Sequence, residues 1–590
     1  MKVIHSIGSK RIEKEVKDEA GFLLGNRMGG YCWLCSSPES RYQGVFFNAD
    51  NRMYKVIDEI RVDDTAVSAL RNNFSDVERK RGDVTERFFM PHNFNSLVYR
   101  LDKKKTVEII LDIRESYSSP EWGRFYDVYE ENGRIIVRYN EGGFEAYLVI
   151  GSDPDHERTG RWLKRHYSFD EKRGSLPFEM YVYSALKIRT DKIVFTFSRR
   201  KEDALKENDV VLKRLGSLEE KQRDFFRRIL RSDVLGRIND KELFFAYLSA
   251  VNSLENLVME RDSGVYAGFP WFFQFWTRDE LISLKALLLS GHDRLAKGII
   301  RKAVNAVMED GNLPNQLPSS ALKGADSVGW LFKGMADMAG YGNLEKPKEK
   351  LKEKLAGVVE LLLKNHTRDC FALNDGLETW MDTSYMGDSR KGARIEIQAL
   401  RLGMYKLMHR MTGDPMYLNL EIGLKEKVRR NMWDKVVLAD GFGDFTARPN
   451  VFIAAYAYPF LLTDDEWARC FEKIISGLWA EWGGLATIDK KSPLFMGRHT
   501  GQDNRSYHRG DSWFWVNNLA ALALYRVDKN RFKEYIDKIL RASVEEILYK
   551  GAIGNASEVS SADKLESDGC VCQAFSSAMF IELVHAVFGD

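Results

Sequence analysis

Few cysteines, almost no net charge and no long apolar run set the first limits on this chain. Six cysteines (Cys32, Cys35, Cys370, Cys470, Cys570 and Cys572) are scattered over 590 residues. That is too thin for a disulfide framework, and a reducing cytoplasm is the expected setting. Cys32-Trp-Leu-Cys35 has the spacing of half a zinc site, but no second pair follows at a suitable distance, so buried thiols are expected instead. Lys and Arg number 88 against 86 Asp and Glu, a formal charge of +2. A field of one sign is therefore absent, which favours neither nucleic acid nor a membrane surface as partner. Nowhere do about 18 uncharged apolar residues run together, so no membrane-spanning helix is expected. The start, MKVIHSIGSKRIEKEV, has neither an apolar core nor a small-residue cleavage site, and no signal peptide is expected. Also missing are G-x-x-x-x-G-K-[ST], H-E-x-x-H, G-x-S-x-G and a dinucleotide fingerprint, and the ten histidines show no ligand spacing. NTP hydrolysis, zinc proteolysis and α/β-hydrolase chemistry have no support.

What is present is an ordinary folded composition, 44% apolar and 29% charged, with unusually many aromatics: 13 Trp, 24 Tyr and 34 Phe. Single cores stop growing at roughly 250–300 residues, so at least two domains are expected. The apolar period changes partway. Between about residues 20 and 210, short runs alternate or are bounded by turn residues. Val107, Ile109, Leu111 and Ile113 alternate with Glu108 and Asp112, although Ile110 breaks the pattern. GRIIVRYN (133–140), EAYLVIGS (145–152) and KIVFTFS (192–198) behave alike. An N-terminal antiparallel β-sandwich over 1–212 is the expectation. After about residue 215 the period is helical: Leu351, Leu355, Val358 and Leu362 share a face, as do Ile397, Leu400, Met404 and Leu407. KRLGSLEEKQRD (213–224) is expected to be a linker or first exposed helix within 213–235, followed by an all-α domain over 236–590.

Segments dense in aromatic, carboxylate, Arg and Gly residues recur near 266–280, 310–326, 374–396, 441–450, 499–515 and 554–569. Each interval holds enough chain for a helical hairpin, and six hairpins would close an (α/α)6 ring with its polar loops gathered at one end. Carboxylates among Trp, Tyr and Arg suit sugar chemistry. Aromatic faces cover the C–H surface of a pyranose, polar forks read its hydroxyls, and an apolar surround raises a carboxyl pKa as a general acid requires. Glycoside hydrolysis needs two carboxyls, one protonated and one ionised.

These segments resemble the amylo-α-1,6-glucosidases, the C-terminal glucosidase part of glycogen debranching enzymes, which are related to glucoamylases. The resemblance runs in order through YAGFPWFFQFWTRDELISL (266–284), DGNLPNQLP (310–318), ADSVGWLF (325–332), ETWMD (378–382) with RIEIQAL (394–400), ARPN (447–450), SYHRGDSWFW (506–515) and NASEVS…DGCVCQAFSSA (555–578). GNRMGGY…SRYQGVFF (25–31, 40–47) and RWLKRHYSFDEKRG (161–174) are similar to the β domain of bacterial and archaeal members. Phe575 stands where relatives usually carry Trp. The resemblance implies an (α/α)6 catalytic barrel and inverting hydrolysis. It implies Asp382 as general acid and Glu558 as general base, set roughly 6.5–9.5 Å apart to admit a water. Glu378 and Asp388 compete for the acid role; Glu566 and Asp568 are the fallback bases. Arg278 and Asp279 would grip sugar hydroxyls. Asp326, Glu396, Arg448 and His508 would line the glucose pocket, unless they merely hold loops together. Trp276, Trp380 and Trp513 are the aromatic candidates for substrate contact; Trp271, Trp330 and Trp515 are more ambiguous between core and platform. His92, His166 and His585 are expected to be structural. The function implied is exo-acting release of glucose from α-1,6 stubs of glycogen or malto-oligosaccharides, with an α-glucan as partner and no metal or organic cofactor. A glucoamylase-like α-1,4 or other α-glucoside hydrolase such as a trehalase, and a non-catalytic carbohydrate binder on the same scaffold, remain the alternatives.

Overall fold

A computed structural model describes residues 1–62, 65–152, 155–318, 320–340 and 349–589. Two compact units result. The first comprises Met1–Arg261, Phe269–Phe273 and Glu545–Ala556; the second comprises Asp262–Gly268, Gln274–Val544 and Ser557–Asp590.

The first unit is sheet-rich, with the alternating runs of the N-terminal sequence forming one connected, mainly antiparallel network. Two 20-residue strands, β1 (Ser96–Glu115) and β2 (Glu179–Ser198), pair along most of their length. The early part of β1 also pairs with Val84–Phe89 and its later part with Arg52–Arg61. Such partner switching along one strand is how the layers of a sandwich are joined. The break in alternation at Ile110 corresponds to a register shift between Ile109 and Ile110. The extra residue lies on β2, where Ala185 falls between Leu186, the partner of Ile109, and Ser184, the partner of Ile110. Along β1 every residue from Ile109 to Arg114 is buried, so both faces of this stretch are covered. Two parallel pairings depart from the antiparallel pattern: Lys2–His5 with Ala69–Asn72, and Ala552–Ile553 with Gly21–Phe22.

The charged stretch 213–224 lies inside one long helix, α1 (Lys201–Ile229). Its buried residues, Ala204, Asn208, Val211, Leu215, Glu219, Gln222 and Phe226, recur every three or four positions and face the sheet. Val211 and Leu215 pack on Phe89, Val98 and Val194, and Ala204 packs on Ile136 and Val149. Helix α2 (Lys241–Asn256) also falls within the first unit. Trp271, from the aromatic motif, packs here against the Arg173 guanidinium at 3.9 Å and the Tyr42 ring. Burial pushes the Cys32 thiol up to about 12 and Cys35 higher still, so neither is a thiolate at neutral pH.

The second unit is an (α/α)6 barrel. Its inner ring consists of α3 (Thr277–Ile282) continued by α4 (Leu284–Leu289), then α6 (Ala325–Gly340), α8 (Ile395–Thr412), α10 (Asn450–Ala457), α12 (Phe514–Asp528) and α14 (Ala574–Phe588). Each inner helix touches the next, and α14 closes the circle against α3 and α4. Between them in sequence run the outer helices α5 (Asp293–Asn305), α7 (Glu349–Asn365), α9 (Pro415–Met432), α11 (Asp464–Leu478) and α13 (Lys533–Tyr549). Composition sorts the two layers. Phe514–Leu524 of α12 and Ala574–Val584 of α14 are buried on every side. In α5 only Leu295, Ala296, Ile299, Ile300, Ala303 and Val304 are buried, a single stripe. Among the described residues, no helix is long and apolar enough to cross a membrane.

Because each inner helix is followed by a returning outer one, the inner N-termini point to one end, and the six motif-rich segments immediately precede them. Backbone hydrogen bonds tie those segments into a circle. The first N–H of an inner helix donates to a carbonyl of the next loop: Thr277 to Asn315 (2.9 Å), Ala325 to Glu378 (2.8 Å), Ile395 to Asp440 (3.0 Å), Phe514 to Glu558 (3.3 Å) and Ala574 to Ala267 (2.9 Å). The remaining link runs from Asp489 N–H to the Ala447 carbonyl at 2.9 Å.

Candidate active site

The loop 374–394 presents Asp382. Its ends are pinned by reciprocal backbone bonds between Asn374 and Gly392, and its middle by Arg509, which donates to the Thr383 carbonyl at 2.7 Å. Asp382 keeps 28% of its side chain exposed, while the Arg278 Nη1 stands 3.4 Å from its Oδ2. The rest of the Arg278 fork is engaged bidentately by Asp326, at 2.6 and 3.2 Å. Burial pushes the Asp382 carboxyl above the usual Asp range; Arg278 opposes that shift and Asp326 adds to it.

Glu558 sits across the ring's seam in the loop before α14, only 2% exposed. The Tyr507 hydroxyl donates to its Oε1, and the Cys570 N–H donates to its Oε2 at 2.9 Å. Gly569 makes that approach possible. Its φ of +69° lies in the left-handed region, and a Cβ there would fall 2.3 Å from Glu558 Oε2. The Tyr507 hydroxyl is held well above its usual range by burial, then by Glu558, then by Asp382. One phenol thus feels both carboxylates and remains a donor. Asp279 belongs to the same neighbourhood. Gln573 Nε2 donates to it at 3.0 Å, and it is pushed up to about 7 by burial, with Arg278 opposing and Glu558 adding.

A second polar layer braces these groups. Arg390 reaches Glu396 at 2.9 Å and Asp440 at 3.3 Å. Glu396 is pushed up to about 7, chiefly by burial, with Arg390 opposing. Asp440 also accepts from Asn450 Nδ2 at 2.6 Å, and Asn450 Oδ1 accepts from the Trp380 indole at 2.6 Å. Arg448 donates to Asp388 (2.9 Å) and to the His508 carbonyl (3.2 Å). His508 shares a hydrogen bond with Thr383 Oγ1 through Nδ1 (2.8 Å), and its Nε2 is buried with no partner among the described residues. Burial and then Arg509, Arg278, Arg448 and Arg390 hold the imidazole well below its usual range, so it is neutral.

The aromatic floor is packed edge to face. Trp380 meets His508, Trp513 and Trp515 at 5.5, 5.5 and 5.2 Å. His508 stacks on Trp513 at 5.3 Å, and Phe575 stacks on Trp515 at 5.3 Å. Trp513 is 4% exposed, with its indole N–H on the Tyr507 carbonyl at 2.7 Å. Trp276 is half-buried and donates to Gln274 at 3.4 Å. Of the competing acids, Asp388 has both oxygens on arginines, Arg448 and Arg509, each at 2.9 Å. Glu378 accepts from Asp375 N–H at 2.8 Å, and Glu566 and Asp568 accept from Ser561 within their own loop.

A buried Glu558 and a partly open Asp382 thus stand among loops at one end of an (α/α)6 ring. The amylo-alpha-1,6-glucosidase family matches residues 247–582, more than half of the chain. The chain belongs to that family. It is a glycoside hydrolase. A crystal structure of a bacterial glucoamylase complexed with acarbose shares the fold at a TM-score of 0.65 and 10% identity, covering 97% of this chain and 96% of that one. A wild-type glycosidase aligns at a TM-score of 0.46 and 13% identity over 60% of this chain and 99% of its own. No curated protein matches the sequence.

The sequence motifs locate Asp382, Glu558, Arg278, Asp279, Asp326, Trp380, Glu396, Arg448, His508 and Trp513 in this family region, and the structure gathers them with Trp276 around the inner N-termini. Sequence reasoning misses Tyr507, Gln573, Asp440, Asn450 and Arg390. Gln573 immediately precedes an inner helix, and that placement is the signal by which it could be found; Tyr507 lies in the loop seven residues before Phe514 and carries no such signal.

Proposed function

We propose that the protein is an inverting, exo-acting α-glucosidase that releases glucose from α-1,6 branch stubs of glycogen or malto-oligosaccharides. Asp382 serves as general acid and Glu558 as general base. Asp382 is partly open and burial shifts its carboxyl upward, the direction a donor needs, and it gives its proton to the glycosidic oxygen as the C1–O bond breaks. Glu558, with donors on both oxygens in keeping with its anionic form, takes a proton from water as the water oxygen bonds to C1 from the opposite face. The products are β-glucose and the debranched chain. Arg278, Asp279, Asp326 and His508 read the glucose hydroxyls, and Trp276 covers a sugar face. The chemistry calls for no metal or organic cofactor.

The supporting observation is that carboxylates from loops of two different hairpins act on the same Tyr507 phenol. NMR of the first glucose released, run on panose, maltotriose, trehalose and a branched limit dextrin, tests the reading. β-Glucose released fastest from panose and the limit dextrin is expected. The α-anomer as first product would reject the mechanism, and faster cleavage of maltotriose or trehalose would reject the linkage.

A further inference from the structure

Away from the carboxylates, between the later parts of the inner helices, lies a cavity of about 250 Å³ lined from α6, α8, α10, the turn that follows α10, and α12. Four of its lining side chains are cations, Lys333, Lys406, Arg410 and Arg526, against one carboxylate, Asp337. Asp337 is already taken, with both oxygens 2.7 Å from Lys333 Nζ. Lys406 Nζ lies 4.3 Å from the Phe460 ring and 3.9 Å from Glu421, whose carboxylate also accepts from Tyr458. The Arg526 guanidinium stands 5.3 Å from the Tyr456 ring. Neither Arg410 nor Arg526 has a carboxylate partner among the described residues.

Neutralising helix ends does not account for this set. The helix dipole acts within the last turn. Arg410 and Arg526 qualify, but Lys333 and Lys406 lie well before the ends of α6 (Ala325–Gly340) and α8 (Ile395–Thr412). Lys333 is moreover held below the usual Lys range by burial, with Lys285 adding to the effect and Asp337 and Glu582 opposing it. Lys333 is offset by Asp337 and Lys406 leans towards Glu421, which leaves Arg410 and Arg526 as lining cations with no carboxylate of their own among the described residues, free to take an anion from solution.

We propose that this cavity binds a small phosphate-bearing ligand, either inorganic phosphate or a phosphorylated monosaccharide. The volume is below the roughly 300–1,000 Å³ of drug-sized pockets, which limits the ligand to that size. The two arginine forks match phosphate oxygens bidentately, and Lys333 and Lys406 supply point charges. The site is separate from the glucosidase centre and stands whether or not that centre acts on α-1,6 linkages.

Isothermal titration calorimetry on the full chain tests it with inorganic phosphate and glucose 6-phosphate, and with glucose as the neutral control. Saturable binding of the phosphates is expected. It should weaken about tenfold or more in an Arg410→Gln/Arg526→Gln variant, the loss of charge-assisted bonds, and weaken with added salt. Both arginines are exposed, so the variant should retain its circular dichroism and its glucosidase rate. Glucose 6-phosphate binding more tightly than phosphate would identify the sugar ester as ligand; equal affinities would identify free phosphate. Absence of saturable binding of either anion, or unchanged binding in the variant, would overturn the proposal.

Discussion

At the scale of single residues, the behaviour of Asp382, the proposed general acid, depends on a contest between two neighbours. Arg278 favours ionised Asp382 and Asp326 favours its protonated form, while Asp326 also occupies most of the arginine's fork. Asp382→Asn should lower kcat by about 10²–10⁴-fold with an unchanged circular dichroism spectrum. Asp326→Asn removes a negative charge and frees the guanidinium, so the Asp382 carboxyl falls and the alkaline limb of the kcat–pH profile should move to lower pH. A limb that stays put or moves upward would show that Asp382 is not the titrating acid. Tyr507→Phe removes a hydrogen bond to a charged group, about 1.5–3 kcal/mol, so kcat should drop about 10–100-fold while KM changes little. An equal rise in KM would instead assign the phenol to substrate binding. Asp382 and Glu558 are legible in sequence because each sits in a distinctive motif. Tyr507 is not: one tyrosine in SYHRGDSWFW has no mark that separates it from a core aromatic, and its role depends on a loop about fifty residues away, at Glu558.

At the scale of elements, the two ends of the barrel obey different rules. Outer helices carry ordinary start signals: Asp414 caps α9 ahead of Pro415, and Thr463 with Glu466 forms a capping box on α11. Inner helices follow Trp276, Arg394, Pro449, Trp513 and Gln573, none of which caps through its side chain. The next loop's carbonyl does that work for all but α10. Sequence signals therefore mark outer helices well and hide inner starts, where tertiary partners replace local ones. Proline is normally tolerated at the first helical position because its missing N–H has no partner there. At Ala325 the N–H has one, so Ala325→Pro should cost about 1–3 kcal/mol, read as a lowered urea midpoint. Asp464→Pro, at the start of α11, should stay within about 0.5 kcal/mol. Equal effects at both sites would refute the idea that loops cap the inner ring. The unbroken apolar pair Ile109–Ile110, by contrast, is legible in sequence as a stretch buried on both faces, whereas the bulge beside it, at Ala185 on the partner strand, leaves no mark in the run 107–113.

At the scale of the molecule, the change of period near residue 215 separates sheet from helix but does not mark the units. The first unit extends to Arg261 and takes back Phe269–Phe273 and Glu545–Ala556. Pairing of Ala552–Ile553 with Gly21–Phe22 and packing of Trp271 on Arg173 depend on residues hundreds of positions apart, which no local pattern encodes. Whole-chain stability carries a further mark of the candidate active site. Asp279 and Glu396 are both pushed up to about 7 by burial. Their folded values lie above those of the unfolded chain, so the stability they contribute is complete below about pH 4, where both states are protonated, and is lost as pH rises through about 7. The urea midpoint should therefore fall between about pH 5 and pH 8, and an Asp279→Asn/Glu396→Gln variant should fall less steeply over that range. Other titrating groups are common to both proteins, so the difference in slope isolates these two. Parallel slopes would mean that neither carboxyl is protonated in the folded state, and that the site's paired arginines outweigh its burial.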